Sequence, residues 1–290
     1  MAEGKILKGI GGFYYVKTPD GIIECRARGK FRNKNLSPCV GDNVSLTVTA
    51  EGKGSIDGIF ERKNSFIRPP VSNIDAMIIV AAVANPAPDP VFIDKMLIVA
   101  EKNNVDVSIV FNKFDLDDGS ANELVQLYRN IGYNAFTTST IEGVGIELVR
   151  KILEGRTTAF AGFSGVGKSS LLNAVLGSEI MQTGEVSERL RRGKHTTRHV
   201  ELIEYGGGYI VDTPGFSMLE IPDKITADEL KEYFPEFKKY EDGCRFRMCN
   251  HTGNSNVCAV CAAAEEGKIA ASRFENYKNF LNVISSRKEW

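Results

Sequence analysis

Gly162-Phe163-Ser164-Gly165-Val166-Gly167-Lys168-Ser169 fits the phosphate-binding pattern G-x-x-x-x-G-K-[ST] at every fixed position. The apolar run Thr158-Ala159-Phe160-Ala161 before it suits a short buried strand, and Ser169 through Leu176 after it suits a helix. Strand, loop and helix in that order are what the pattern needs. Its glycines let the backbone turn tightly and aim successive N–H groups at phosphate oxygens. The helix start, with Ser170 in its first turn, adds a positive dipole end to the same anion site. Lys168 is placed to reach the β- and γ-phosphates and to act in catalysis, and Ser169 to hold Mg²⁺.

Two further elements narrow the nucleotide. Asn112-Lys113-Phe114-Asp115 follows the strand-like Val107–Phe111 and resembles the N-K-x-D guanine motif of GTPases. The Asp115 carboxylate can accept from guanine N1–H and its exocyclic amine; adenine would leave it mispaired, at a cost of roughly 1–3 kcal/mol. Lys113 can lie over the base plane, and Asn112 can fix loop and base. Asp212-Thr213-Pro214-Gly215 follows Gly208–Val211 and resembles the D-x-x-G element, in which the Asp holds a Mg²⁺-bound water and the Gly N–H meets the γ-phosphate. The expected ligands are therefore GTP and GDP with Mg²⁺.

The order of these elements is unusual, because the guanine motif precedes the phosphate loop. The same parallel sheet can be built from a chain cut elsewhere, since exposed loops tolerate permutation. With its flanking regions, the chain resembles the circularly permuted bacterial GTPases that depend on the small ribosomal subunit, the RsgA family. The resemblance covers nearly the whole chain. It implies an α/β fold: a circularly permuted P-loop GTPase domain (66–222), an N-terminal OB-type β-barrel (1–65) and a C-terminal zinc-binding helical domain (223–290). It also implies GTP hydrolysis stimulated by the small ribosomal subunit, a role late in that subunit's maturation, and contact with ribosomal RNA. Ser139 sits where the resemblance places a backbone N–H against the guanine carbonyl.

Between phosphate loop and D-T-P-G, the polar segment 183–199 resembles a GTPase switch, and Gly193-Lys194-His195-Thr196-Thr197 matches the family's signature. A threonine there would close on Mg²⁺ and the γ-phosphate; Thr197 is favoured and Thr196 is the alternative. Many GTPases carry a glutamine after D-x-x-G to orient water, but this chain carries Phe216. Slow intrinsic hydrolysis is expected, with His195 the candidate to position water once a partner orders the segment. Two rival readings stand beside this one: an RNA-binding switch with negligible turnover, and an ATP-using enzyme.

The 290 residues carry a net charge of −1, distributed unevenly: residues 1–65 hold 11 Lys/Arg against 7 Asp/Glu, while 66–222 hold 14 against 19. A modestly positive first unit is compatible with nucleic acid. Its short strands and turn signals, without a helical period, suit a small barrel, and Lys30, Arg32 and Lys34 around Phe31 could meet RNA. Arg68-Pro69-Pro70 reads as a stiff linker. No apolar stretch is long enough to span a bilayer, and the N-terminus lacks a signal-peptide core, so the expectation is a cytosolic monomer without membrane contact.

In the last unit, Thr226–Phe234 is predicted as a helix capped by Thr226, and Glu265–Phe280 as a second helix with Arg273, Tyr277 and Lys278 available for RNA or packing. Between them lies Cys244-x4-Cys249-x-His251-x6-Cys258. Three thiolates and one imidazole make a closed tetrahedral Zn²⁺ site with no open position for catalysis. The His-to-Cys spacing is one residue longer than the family's usual pattern, and Cys261 lies near enough to compete with Cys258.

Overall fold

The computed structural model describes residues 2–29, 31, 37–50, 52–181, 200–212, 216 and 219–287. Five strands, β1 (Ala2–Ile10), β2 (Phe13–Thr18), β3 (Gly21–Ala27), β4 (Asn43–Ala50) and β5 (Lys53–Ile59), form the N-terminal barrel, which β1 closes by pairing with β4. A short hairpin, β6 (Ser65–Phe66) and β7 (Val71–Ser72), follows. Arg68-Pro69-Pro70 lies in the turn of that hairpin instead of forming a free linker. The hairpin docks because Phe66 and Val71 are buried and Asp42, fully enclosed, accepts from Arg62 Nε at 2.7 Å and Ser72 Oγ at 2.6 Å.

The α/β part comprises β8 (Ala76–Ala82), α1 (Pro90–Lys102), β9 (Asp106–Asn112), α2 (Ala121–Arg129), β10 (Asn134–Thr137), α3 (Ile146–Leu153), β11 (Thr157–Ala161) and α4 (Lys168–Met181), then β12 (Glu201–Tyr205) and β13 (Gly208–Asp212). Strands run in the order β10-β9-β8-β11-β13-β12, parallel except for β12. Every residue of β8 and β11 is buried, as strands covered on both faces must be. One face packs Met77, Phe111 and Phe216 into a core continuous with barrel residues Ile6 and Leu46. The other packs Ile78, Val80 and Phe160 under Leu171 and Val175 of α4. The sheet does not stop at β12: β1 pairs with it at Lys8↔Glu201, and the Lys8–Glu201 ion pair spans 3.0 Å, giving eleven strands in one sheet.

The C-terminal unit departs from the predicted pattern twice. Thr226 does cap its turn, with Thr226 Oγ1 accepting from Glu229 N at 3.3 Å and Glu229 Oε2 accepting from Thr226 N at 3.2 Å. The turn continues as a 3₁₀ helix, Leu230–Tyr233, and then stops at the Phe234-Pro235 junction. The helix predicted over Glu265–Phe280 starts only at Ala271, as α6 (Ala271–Ser285), and a separate helix, α5 (Ala259–Glu265), ends where the prediction began, with Gly267 at φ 71° between them. Arg273 and Tyr277 point inward and are fully buried, so they serve packing. Phe31 is likewise buried in the barrel core and unavailable for stacking on a base. Lys30, Arg32 and Lys34 lie outside the described residues.

Candidate nucleotide site and metal centre

The phosphate loop leaves β11 at the carboxyl end of the sheet, beside the ends of β8, β9 and β13. This is where open α/β sheets hold ligands. Gly162 has φ 150°, and a Cβ there would sit 2.3 Å from the Val80 carbonyl oxygen. Gly167 has φ 92°, and its Cβ would strike Asn112 Nδ2 at 2.3 Å. Glycine is therefore required where the loop crosses β8 and where it meets the guanine motif. Leu171 N–H bonds back to Gly167 O at 2.8 Å, which opens α4 and leaves the loop's N–H groups at its positive end. Ser164, Gly165, Ser169 and Ser170 are exposed, Val166 is buried, and Lys168 is half-buried. Lys168 Nζ donates to the carbonyls of Gly162 and, at 2.7 Å, Phe163. Burial pulls its pKa below the usual lysine value, and a bound phosphate would replace these carbonyls with a full negative charge.

The guanine motif is brought against this loop. Asn112 is buried: its Nδ2 donates to Val166 O at 2.9 Å and its Oδ1 accepts from Thr138 Oγ1 at 3.0 Å. It ties phosphate loop, guanine motif and the end of β10 together. Lys113, with φ 62°, donates to the Asn85 carbonyl. Asp115 Oδ1 accepts from Ser139 Oγ at 2.6 Å, which orients one carboxylate oxygen. The Ser139 N–H, expected to face the base, donates to Val144 O at 3.1 Å. The loop closes on itself there, so in this conformation the hydroxyl of Ser139 serves the site and its amide does not.

Asp212 ends β13 opposite Glu201 in register. Gly215 and the switch residues His195, Thr196 and Thr197 lie outside the described residues. Phe216 is fully buried, its ring 5.4 Å from Phe66 in an edge contact.

The C-terminal cysteines converge. Cys244, Cys249, His251 and Cys258 place one ligand atom each within 4.8 Å of all the others. His251 Nδ1 lies 3.7 Å from Cys244 Sγ and 3.5 Å from Cys258 Sγ, and those two sulfurs are 3.8 Å apart. Zinc bonds of about 2.0–2.3 Å at tetrahedral angles require donor separations of about 3.3–3.8 Å, so Cys244, His251 and Cys258 stand at the spacing of the ion's ligands, with Cys249 Sγ within 4.8 Å of each. Cys261 stands outside the cluster, donating its thiol to His251 O at 3.3 Å while its N–H donates to Cys258 Sγ at 3.4 Å. Burial pushes Cys249 and Cys258 up to about 11 and His251 down to about 4, so these donors are neutral until a cation draws off the thiol protons. His251, at φ 56°, packs edge-on against Phe237 at 5.6 Å.

One cluster escaped the reading of motifs. Asp94, fully buried on α1, accepts from Arg273 Nη1 at 2.8 Å, Asn276 Nδ2 at 2.7 Å and Tyr128 OH at 3.2 Å. Arg273 also binds Glu236 through Nε at 2.8 Å and Nη2 at 3.0 Å. The available signal was a lone carboxylate within the apolar stretch Val91–Ala100.

Known proteins match along the whole chain. Residues 59–222 match the family model described as RsgA GTPase, and residues 3–56 match the RsgA N-terminal domain. Proteins called small ribosomal subunit biogenesis GTPase RsgA include one from Clostridium beijerinckii, 47% identical over 291 residues, covering 99% of this chain and 100% of that one. Another, from a Geobacillus species, is 46% identical over 292 residues with 99% of both chains covered. The crystal structure of YjeQ from Thermotoga maritima superimposes with a TM-score of 0.85 at 38% identity, over 99% of each chain. That of YloQ, a circularly permuted GTPase, gives 0.82 at 34% identity, over 100% of this chain and 97% of the other.

Proposed function

The chain belongs to the RsgA GTPase family, and from that premise we propose that its hydrolysis of GTP to GDP and phosphate is governed by the small ribosomal subunit and serves that subunit's late assembly. The observation that carries the partner-governed part is Phe216. The residue after D-T-P-G is a hydrocarbon ring sealed against Phe66, so the group that orients water must come from elsewhere. His195 on the switch segment is assigned that role, brought in when the subunit engages.

Under this reading Asp115, steadied by Ser139, selects guanine. Lys113 covers the base, and Asn112 fixes the phosphate loop to the base site. The loop from Gly162 through Ser170 wraps the phosphates with backbone N–H groups, and Lys168 leaves its carbonyls to stabilise the charge that develops on transfer. Ser169 and Thr197 would hold Mg²⁺, with Asp212 through a water and Gly215 at the γ-phosphate. Mg²⁺, when bound, neutralises charge shared between the β- and γ-phosphates. The zinc ligands are Cys244, Cys249, His251 and Cys258, in a structural role. The barrel and C-terminal unit are assigned contacts with the subunit's ribosomal RNA. The chain acts as a monomer in the cytoplasm; among the described residues no helix is long and apolar enough to cross a membrane.

The test is GTP turnover by the purified chain, alone and with stoichiometric small subunits. A slow basal rate that rises with small but not large subunits is expected. GTP binding without a rise would leave a nucleotide switch and sink the stimulated-hydrolysis reading.

A further inference from the structure

Helix α1 lies between the phosphate loop and the C-terminal unit and is fastened to both. At its start, Asp89 Oδ1 accepts from Val91 N at 2.9 Å and Phe92 N at 3.1 Å, fixing where the helix begins. The Phe92 ring sits 4.4 Å, centroid to centroid, from Phe163 of the phosphate loop. Just before the helix, Pro86 lies 3.8 Å from where a Cβ on Gly165 would be, and the Asn85 carbonyl takes Lys113. The segment therefore touches both the phosphate loop and the guanine motif.

Two residues after Phe92, on a side of the helix turned by about 200°, Asp94 meets Arg273 and Asn276 of α6. Farther along, Ile98 is part of the C-terminal unit's own core, with Phe234, Phe237 and Tyr277. Arg273 is stacked over Phe234 at 4.5 Å and held by Glu236, whose neighbour Phe237 packs on His251. Packed or hydrogen-bonded neighbours thus run from a zinc ligand to the phosphate loop without a gap. A buried ion pair tolerates little displacement, because its charges have no water to fall back on. That makes Asp94–Arg273 a fixed pivot, where an apolar contact would allow sliding.

The geometry points to Asp94 and Arg273 as positioning residues for nucleotide binding: the C-terminal unit sets the stance of α1, and α1 sets the stance of the phosphate loop through Phe92 and Phe163. Anything that moves the C-terminal unit then changes nucleotide affinity, and nucleotide changes the docking of that unit by the same factor. The inference rests on the nucleotide reading above, which wild-type binding tests separately.

The experiment is a calorimetric titration of GDP into the zinc-loaded full chain, which returns affinity and stoichiometry independently. Asp94→Asn keeps the Arg273–Glu236 pair and should raise the GDP Kd by about fivefold or more at one site per chain. Phe92→Leu should do the same. The double variant should bind within about twofold of the weaker single variant, because both substitutions cut one route. A merely structural Asp94 would lower stoichiometry and leave Kd alone. If Asp94→Asn loses stoichiometry, Asn276→Ala, which removes one of the two α6 groups that hold the Asp94 carboxylate and so loosens the pivot, decides: a raised Kd at full stoichiometry supports the inference. A Kd within about twofold of wild type at full stoichiometry, or effects of the two single variants that multiply, overturns it. Failure of the wild-type chain to bind GDP removes the nucleotide reading and this inference together.

Discussion

Asn112, Asp115, Ser139 and Lys168 reach the candidate nucleotide site from three strand ends far apart in the chain, whereas Cys244, Cys249, His251 and Cys258 come from a single stretch of irregular backbone. The first group is positioned by a largely parallel sheet in which β8 and β11 are buried throughout. Ser139 and Asp115 already meet, and Asn112 is bonded to the phosphate loop at Val166. The second group has little regular structure beneath it: 3₁₀ turns, loops and the seven-residue α5. A site hung on a sheet can lose a ligand and keep its shape. A site hung on loops borrows its shape from the ion.

The largest effect should therefore come from removing zinc. Metal-linked folding free energies of this kind are on the order of 10 kcal/mol. Chelation, or Cys249→Ser, should erase hydrogen-exchange protection across 244–285 while β8, β9 and β11 keep theirs. Equal loss in both regions would break the contrast. Next, Lys168→Ala should lower GTP turnover by about 10²–10³-fold, the cost of one lost charge-stabilising donor, with the thermal midpoint held within a few degrees; a collapse in stability would show that the loop needs its lysine to fold. Asp115→Asn should shift preference from GTP toward XTP by about 1–3 kcal/mol, measured by competitive binding of the two nucleotides. An unchanged preference would remove Asp115 from base recognition. The smallest change is Ser139→Ala, which frees the Asp115 carboxylate and should weaken GDP binding by about 0.5–1.5 kcal/mol without altering base preference.

The two regions also differ in how far they could be read from residues alone. The strands β8, β9 and β11 were legible because strands covered on both faces carry apolar runs, Ala76–Val83, Ile109–Phe111 and Ala159–Ala161 among them. The convergence of Cys244, Cys249, His251 and Cys258, a set compatible with zinc, was legible from donor chemistry and spacing. The frame around them was not. Thr226 is a sound helix cap, yet Pro235 ends the turn before an α-helix develops. The run predicted as helix from Glu265 is helical only from Ala271, after α5 has ended and Gly267 has turned the chain at φ 71°. For Arg273 the choice between RNA contact and packing stayed open because its two carboxylate partners lie 37 and 179 residues away, a distance no local pattern spans. Ser139 does lie beside Asp115, but through its hydroxyl, since Val144 takes the amide expected to face the base.

β1 belongs at once to the barrel, which it closes, and to the main sheet, which it extends at Lys8↔Glu201. It occupies the outer edge of β12 at the Glu201 end of a five-residue strand, Glu-Leu-Ile-Glu-Tyr, that would otherwise offer its backbone groups there to any passing chain. Trimming the protein to its GTPase segment would leave the nucleotide residues intact and uncover a sticky seam. The barrel is thus also an edge guard, and solubility should track the presence of β1 even where nucleotide binding does not.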